Sequence, residues 1–104
     1  MAPGPAIPEI DVLIHEPARL RALALLAQVE EADFMYLLRQ TGLSRGNLSV
    51  QMSKLEQAGI VGFHRQLDGA RPRTTYFLTQ AGRRALEAYR HTMARLLAGF
   101  PGSS

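Results

Sequence analysis

Between Ser44 and Gln57 the chain concentrates side chains that can form directional hydrogen bonds without doing covalent chemistry: Ser44, Arg45, Asn47, Ser49, Gln51, Ser53, Lys54 and Gln57. On a helix of 3.6 residues per turn, Leu48, Met52 and Leu55 fall on one face and should enter a core. Gly46, Ser49, Val50, Ser53, Lys54 and Gln57 collect on the opposite arc, with Arg45 and Asn47 on its flanks at the amino end. Such a helix is held on one side while the other, small and polar, is free to approach a surface closely. The groove of duplex DNA is such a surface; the plainer alternative is a solvated helix face with a capping serine.

Roles follow from side-chain chemistry. Arg45 could take guanine O6 and N7 with two hydrogen bonds or clamp a phosphate. Asn47 and Gln51 could reach adenine, although both lean toward the protein side. Val50 could meet a thymine methyl. Ser44, Ser49 and Ser53 are short enough to donate to phosphate. Gly46 removes a side chain where backbone must come near DNA, and helix N-terminal N–H groups favour an anion there. A second set lies downstream, where Arg65, Arg71, Arg73 and Thr74 surround Asp68-Gly69 and Pro72. Extended arginines on a protruding hairpin suit phosphate contact or a narrow minor groove, and they also protect a free strand edge from unwanted pairing.

Other chemistry has little support. The 104 residues contain no cysteine, which removes disulfides, thiolate metal sites and Cys nucleophiles. His15, His64 and His91 sit in distant segments without i, i+4 spacing, so no metal site is expected. Glu30, Glu31 and Asp33 suit the dipole of a following helix rather than catalysis. No Gly-rich phosphate loop, nucleophile elbow or triad pattern is present, so neither an enzyme nor a cofactor is expected. A net charge of +3 leans modestly toward a polyanionic partner. The start has no basic n-region and no long apolar run, and no segment offers the roughly 20 apolar residues that span a bilayer. The expected location is the cytoplasm.

The elements that must position these residues can be read in order. Residues 1–9, with three prolines and a glycine, read as a flexible arm, and residues 99–104 as a tail. Glu16-Pro17 opens a first helix, whose stripe is Leu20, Leu23, Ala24 and Ala27, widened by Leu25 and Leu26. Asp33 caps a second helix over 34–40, burying Phe34, Leu37 and Leu38. Gly42 supplies a left-handed turn, and Ser44 caps the third helix, over 44–58. The period then changes. Residues 60–66 and 74–79 read as two strands, with 67–73 as the exposed hairpin loop. A last helix runs over about 79–98.

Helix, helix, helix, hairpin, long helix, mainly α with a small β-hairpin, is the layout of a winged helix-turn-helix domain over 10–98. Glu16-Pro17-Ala18-Arg19-Leu20-Arg21-Ala22-Leu23, Gly42-Leu43-Ser44-Arg45-Gly46-Asn47-Leu48-Ser49, Lys54-Leu55-Glu56-Gln57-Ala58-Gly59, and Arg71-Pro72-Arg73-Thr74-Thr75-Tyr76-x-Leu78-Thr79-x-Ala81-Gly82 closely resemble small bacterial and archaeal winged-helix regulators of the MarR/ArsR type, over about residues 14–98. The resemblance implies a dimeric transcription regulator, with the third helix in the major groove of double-stranded DNA and the wing along the adjacent backbone or minor groove. A repressor on a pseudo-palindromic operator is the leading expectation. A winged-helix protein-interaction module is the alternative, and a small-molecule effector between the dimer helices is compatible with either.

Leu86, Tyr89, Met93, Leu96 and Phe100 approach a heptad rhythm. One domain of this size cannot easily cover so long a stripe. The expected homodimer seam joins Leu86, Tyr89, Met93, Leu96 and Leu97 to an amino-terminal segment containing Ile7, Ile10, Val12, Leu13 and Ile14.

Overall fold

The computed structural model describes residues 7–102; the first six residues of the expected arm and the last two of the tail lie outside them. The elements are α1 (Pro17–Leu26), β1 (Ala32–Asp33), α2 (Phe34–Thr41), α3 (Arg45–Gln57), β2 (Val61–Asp68), β3 (Arg71–Leu78) and α4 (Gln80–Leu97). The expected order is present with one addition. β1, two residues long, pairs antiparallel with β3 through Ala32–Tyr76 and Asp33–Thr75, so the sheet has three strands in the order β1-β3-β2.

The helix starts are fixed by side chains that accept the otherwise unpaired first N–H groups. Glu16 accepts from Arg19 N at 2.8 Å, Asp33 from Tyr36 N at 2.7 Å, Ser44 from Asn47 N at 3.1 Å and Thr79 from Gly82 N at 2.9 Å. Between α2 and α3, Gly42 takes φ 72° and its N–H reaches Leu38 O at 3.2 Å. Thr41, buried, donates to Leu37 O and accepts from Leu43 N. These bonds set the sharp turn that aims α3 outward.

Leu48, Met52 and Leu55 of α3 are wholly buried, together with Leu23 and Leu26 of α1, Leu37 of α2, and Ile14. The face of α1 differs from the expected one. Ala18, Ala22, Leu23 and Leu26 are buried, Leu20 and Leu25 are partly covered, and Ala24 and Ala27 are exposed. Ile14, expected at a dimer seam, is a core residue of its own chain, and Phe34 and Leu38 are only half-buried.

The hairpin is longer than expected. Residues 67–73 are not a loop: β2 and β3 pair without interruption from Val61–Leu78 to Asp68–Arg71, and only Gly69 and Ala70 turn the chain. Gly69 has φ 68° while Ala70 keeps a negative φ, the pattern of a II′ hairpin turn, whose twist matches the strands. Across from Gly62 the Phe77 ring fills the space a side chain would take, so close that a Cβ would stand 2.5 Å from Cζ.

One ion pair and one hydrogen bond tie the hairpin to the segment before α2. Asp33 caps α2 with Oδ1 and takes Arg73 Nη2 on Oδ2 at 2.9 Å; Glu31 Oε2 meets His64 Nε2 at 3.2 Å. Glu31 thus also serves the hairpin.

The chain extends over 65 × 29 × 23 Å with a radius of gyration of 16.5 Å, against about 13 Å for a compact domain of this length. Leu86 and Tyr89 lean on the core, whereas Leu97 and Phe100 are 48% and 60% exposed. No helix among the described residues is long and apolar enough to cross a membrane.

Candidate nucleic-acid interface

With its three leucine and methionine anchors inside, α3 turns Ser44, Arg45, Gly46, Asn47, Ser49, Val50, Ser53 and Lys54 to solvent. Val50 is 51% exposed among polar neighbours. A Cβ at Gly46 would meet nothing within 4 Å, so this glycine answers no packing need inside the chain. Gln51 departs from its expected place on this surface. It is 8% exposed, its Oε1 accepts from Arg19 Nη1 at 2.7 Å and its Nε2 donates to Asn47 Oδ1 at 2.9 Å. Both ends of its amide are used within the protein, so the base contact considered for Gln51 is withdrawn.

The hairpin stands beside the amino ends of α2 and α3 and leaves an open groove of about 430 Å³ between them. Arg39, Arg45, Arg71 and Arg73 line it against Asp33 and Asp68, with Met35 and Thr74 among the remaining walls. The excess of guanidinium over carboxylate gives the groove a positive potential, and arginine's planar donor fork matches phosphate oxygens. The four arginines are not equivalent. Arg73 is held by Asp33, Arg45 Nη2 lies 3.6 Å from Met35 Sδ, and Arg71 is exposed. Arg65 projects from the same strand pair, its guanidinium 5.6 Å from the centre of the Phe63 ring. Burial holds the neighbouring Tyr76 phenol above its usual range, with Arg65 opposing the shift and Glu56 adding to it.

Arg39 was missed from sequence because it belongs to the second helix, outside the two segments that carry the motif signals. Arg19 was missed because its contacts span 32 residues. Among the described residues, no group of three or more His, Asp or Glu side chains is placed to hold a metal ion.

A family model for the winged helix DNA-binding domain matches residues 18–97. The chain belongs to that family. It is 31% identical over 84 residues to an uncharacterised protein of Methanocaldococcus jannaschii, an alignment covering 81% of this chain and 91% of the relative. Among solved structures it is similar to a transcriptional regulator homologue from Pyrococcus horikoshii OT3, with TM-score 0.81 and 23% identity over 88% of this chain and 91% of that one. The transcriptional repressor BigR from Xylella fastidiosa superposes with TM-score 0.63 and 26% identity, covering 88% and 83% of the two chains. Within this winged helix, α2 and α3 correspond to the helix-turn-helix and the β2–β3 hairpin to the wing. The family is one of DNA-binding regulators and is normally non-enzymatic.

Proposed function

We propose that this winged helix is a sequence-specific, dimeric transcription regulator that represses by occupying an operator, with α3 in the major groove and the wing on the adjacent backbone. The observation that carries the reading is one continuous surface. The small polar face of α3 and the arginine-lined groove beneath the wing share Arg45, so a duplex lying along α3 brings its phosphates to Arg39 and Arg71. A protein-binding use of the same face would call for apolar anchors, and Val50 stands there among serines and Lys54.

The dimer follows from α4. Met93 and Leu96 are half-exposed and Leu97 and Phe100 more so, while Ile7 and Val12 of the amino-terminal segment are 75% and 77% exposed. A second copy would cover both sets. Leu13, Leu86 and Tyr89 already pack on their own core, so the proposed seam rests chiefly on Ile10, Met93, Leu96 and Leu97. Sedimentation of the wild-type chain should give a dimer, and Leu97→Asp a folded monomer whose operator affinity falls by more than tenfold.

Selection of duplexes from a random library is the primary test. It should return a pseudo-palindrome with half-sites about one helical turn, roughly 34 Å, apart. Recovery of a partner protein and of no duplex motif would overturn the reading.

Gly46 supplies a sharper check. Gly46→Ala adds helix propensity at an open position and should stabilise the fold by about 0.5–1 kcal/mol. The same methyl should weaken every duplex where backbone approaches phosphate. Higher thermal stability with lower affinity is the expected pair of results; undiminished affinity would remove Gly46 from the interface.

A further inference from the structure

We propose that Asn47 is a specificity-determining residue whose carbonyl end is held by Gln51, so that it turns its amino end to the groove and selects guanine over adenine. The inference rests on the DNA-binding reading and deepens it, because it assigns a donor rather than an acceptor to one position of the recognition helix.

The argument is one of hydrogen-bond polarity. Arg19 anchors the chain of contacts: its Nε donates to Leu13 O at 2.5 Å and its Nη1 to Gln51 Oε1 at 2.7 Å. A guanidinium has donors only and stays charged. The end of the Gln51 amide that faces it must therefore be the carbonyl, so its orientation is dictated rather than chosen. The other end of Gln51 is then NH₂, which donates to Asn47 at 2.9 Å, and the atom receiving it must be Oδ1. The end that Asn47 turns away from Gln51 is therefore Nδ2.

An unconstrained asparagine reads adenine by laying its carbonyl on N6–H₂ and its amino group on N7. Here the carbonyl end is turned to a residue that is 8% exposed. Guanine presents N7 and O6 side by side, both acceptors, which is what an outward NH₂ can use. Adenine sets its own N6–H₂ donors against that group. The discrimination is worth about one hydrogen bond, or roughly fivefold in affinity.

The experiment is selection of duplexes by the full chain, followed by binding to duplexes varied at single positions. Asn47→Ala identifies the position in each half-site that depends on this residue. In the wild type that position should be guanine, bound about fivefold more tightly than adenine. Gln51→Met keeps the buried volume but releases Asn47, and should level the two bases there while preserving preferences elsewhere. Gln51→Glu keeps a partner for Arg19 and presents only acceptors to Asn47, whose amide should rotate. Its carbonyl then faces the groove, and the preference should turn toward adenine or cytosine, the bases whose exocyclic amino group lies in the major groove. A merely structural role for Gln51 would lower affinity at all positions alike. Adenine at the Asn47-dependent position, no position that depends on Asn47, or a preference that both Gln51 variants leave unchanged would overturn the assignment of the donor while leaving DNA binding intact. Failure to select any motif would overturn DNA reading itself, and this proposal with it.

Discussion

Gly82→Ala is expected to lower the thermal midpoint of this domain by about 10 °C, although the same exchange inside an exposed helix would raise it. Gly82 is the buried residue of α4, in its first turn, against the carbonyl of Ile60. A Cβ there would overlap the Ile60 oxygen and stand 2.9 Å from its carbonyl carbon. The obstacle is backbone, not the end of a flexible side chain. That carbonyl also accepts from Thr79 N at 3.1 Å and Thr79 Oγ1 at 3.1 Å, while Thr79 caps α4 through Gly82 N. Relieving the overlap means moving the start of β2 away from the start of α4 and stretching all three bonds. The propensity gain of about 1 kcal/mol is then set against overpacking and cap loss that together cost about 3 kcal/mol. A net loss near 2 kcal/mol corresponds to about 10 °C for a domain of this size. Calorimetry of Gly82→Ala beside Gly46→Ala gives the contrast directly, since the two substitutions are chemically identical. A midpoint unchanged or raised in Gly82→Ala would mean that the close approach of α4 to Ile60 is not part of the folded state.

How much of this was legible in the sequence depends on whether the deciding interaction is local. Ser44, Gly42, Asp33 and Thr79 act within a few residues, through one capping bond or one left-handed turn, and their elements begin where the sequence places them. Leu48, Met52 and Leu55 are separated by residues that are polar except for Val50, so the sequence marks one helical face for burial. The first helix offers no such contrast. Between Pro17 and Leu26 every residue except Arg19 and Arg21 is apolar, and the buried face is selected by what packs against it, not by pattern. β1 is two residues long and exists only because β3 offers a free edge near Tyr76.

Pro72 explains the misread wing. A proline inside a run of residues argues against a strand, because a central strand needs its N–H. β1 pairs only as far along β3 as Thr75, so Pro72 has β2 on one side and no strand on the other. The strand therefore continues through it to Arg71. Gln51 illustrates the opposite failure: its spacing on the helix is that of a flank residue, and only Arg19, from another helix, turns it inward. Residues whose roles are set by a distant partner are the ones a linear reading assigns wrongly.

Arg71 and Arg73, alike in sequence, should differ in what they contribute to binding. Affinity for duplex DNA should fall steeply with salt, because each neutralised phosphate releases its condensed counterions, with a slope near −0.9 per phosphate on logarithmic axes. Arg71 is exposed on the groove wall. In a dimer each substitution is made twice, so Arg71→Ala should flatten the slope by about 2 and weaken all sequences by about 10- to 100-fold at moderate salt. Arg73 already gives its Nη2 to Asp33 at 2.9 Å, with 47% of its side chain exposed. Reaching a phosphate means sharing or leaving that carboxylate, so Arg73→Ala should change the slope by less. Asp33→Asn tests the same competition from the other side. The amide oxygen keeps the cap on Tyr36 N, while the negative charge that restrains Arg73 is gone. Binding should tighten and its salt dependence should steepen, provided that Arg73 is the residue being released; in the Arg73→Ala background that steepening should disappear. Filter binding or fluorescence anisotropy across a salt series measures all five chains. Equal slopes for wild type and Arg71→Ala would take the wing off the phosphate backbone. An Asp33→Asn slope equal to that of wild type would mean that the ion pair does not compete with DNA, and that Arg73 serves to brace the wing on α2.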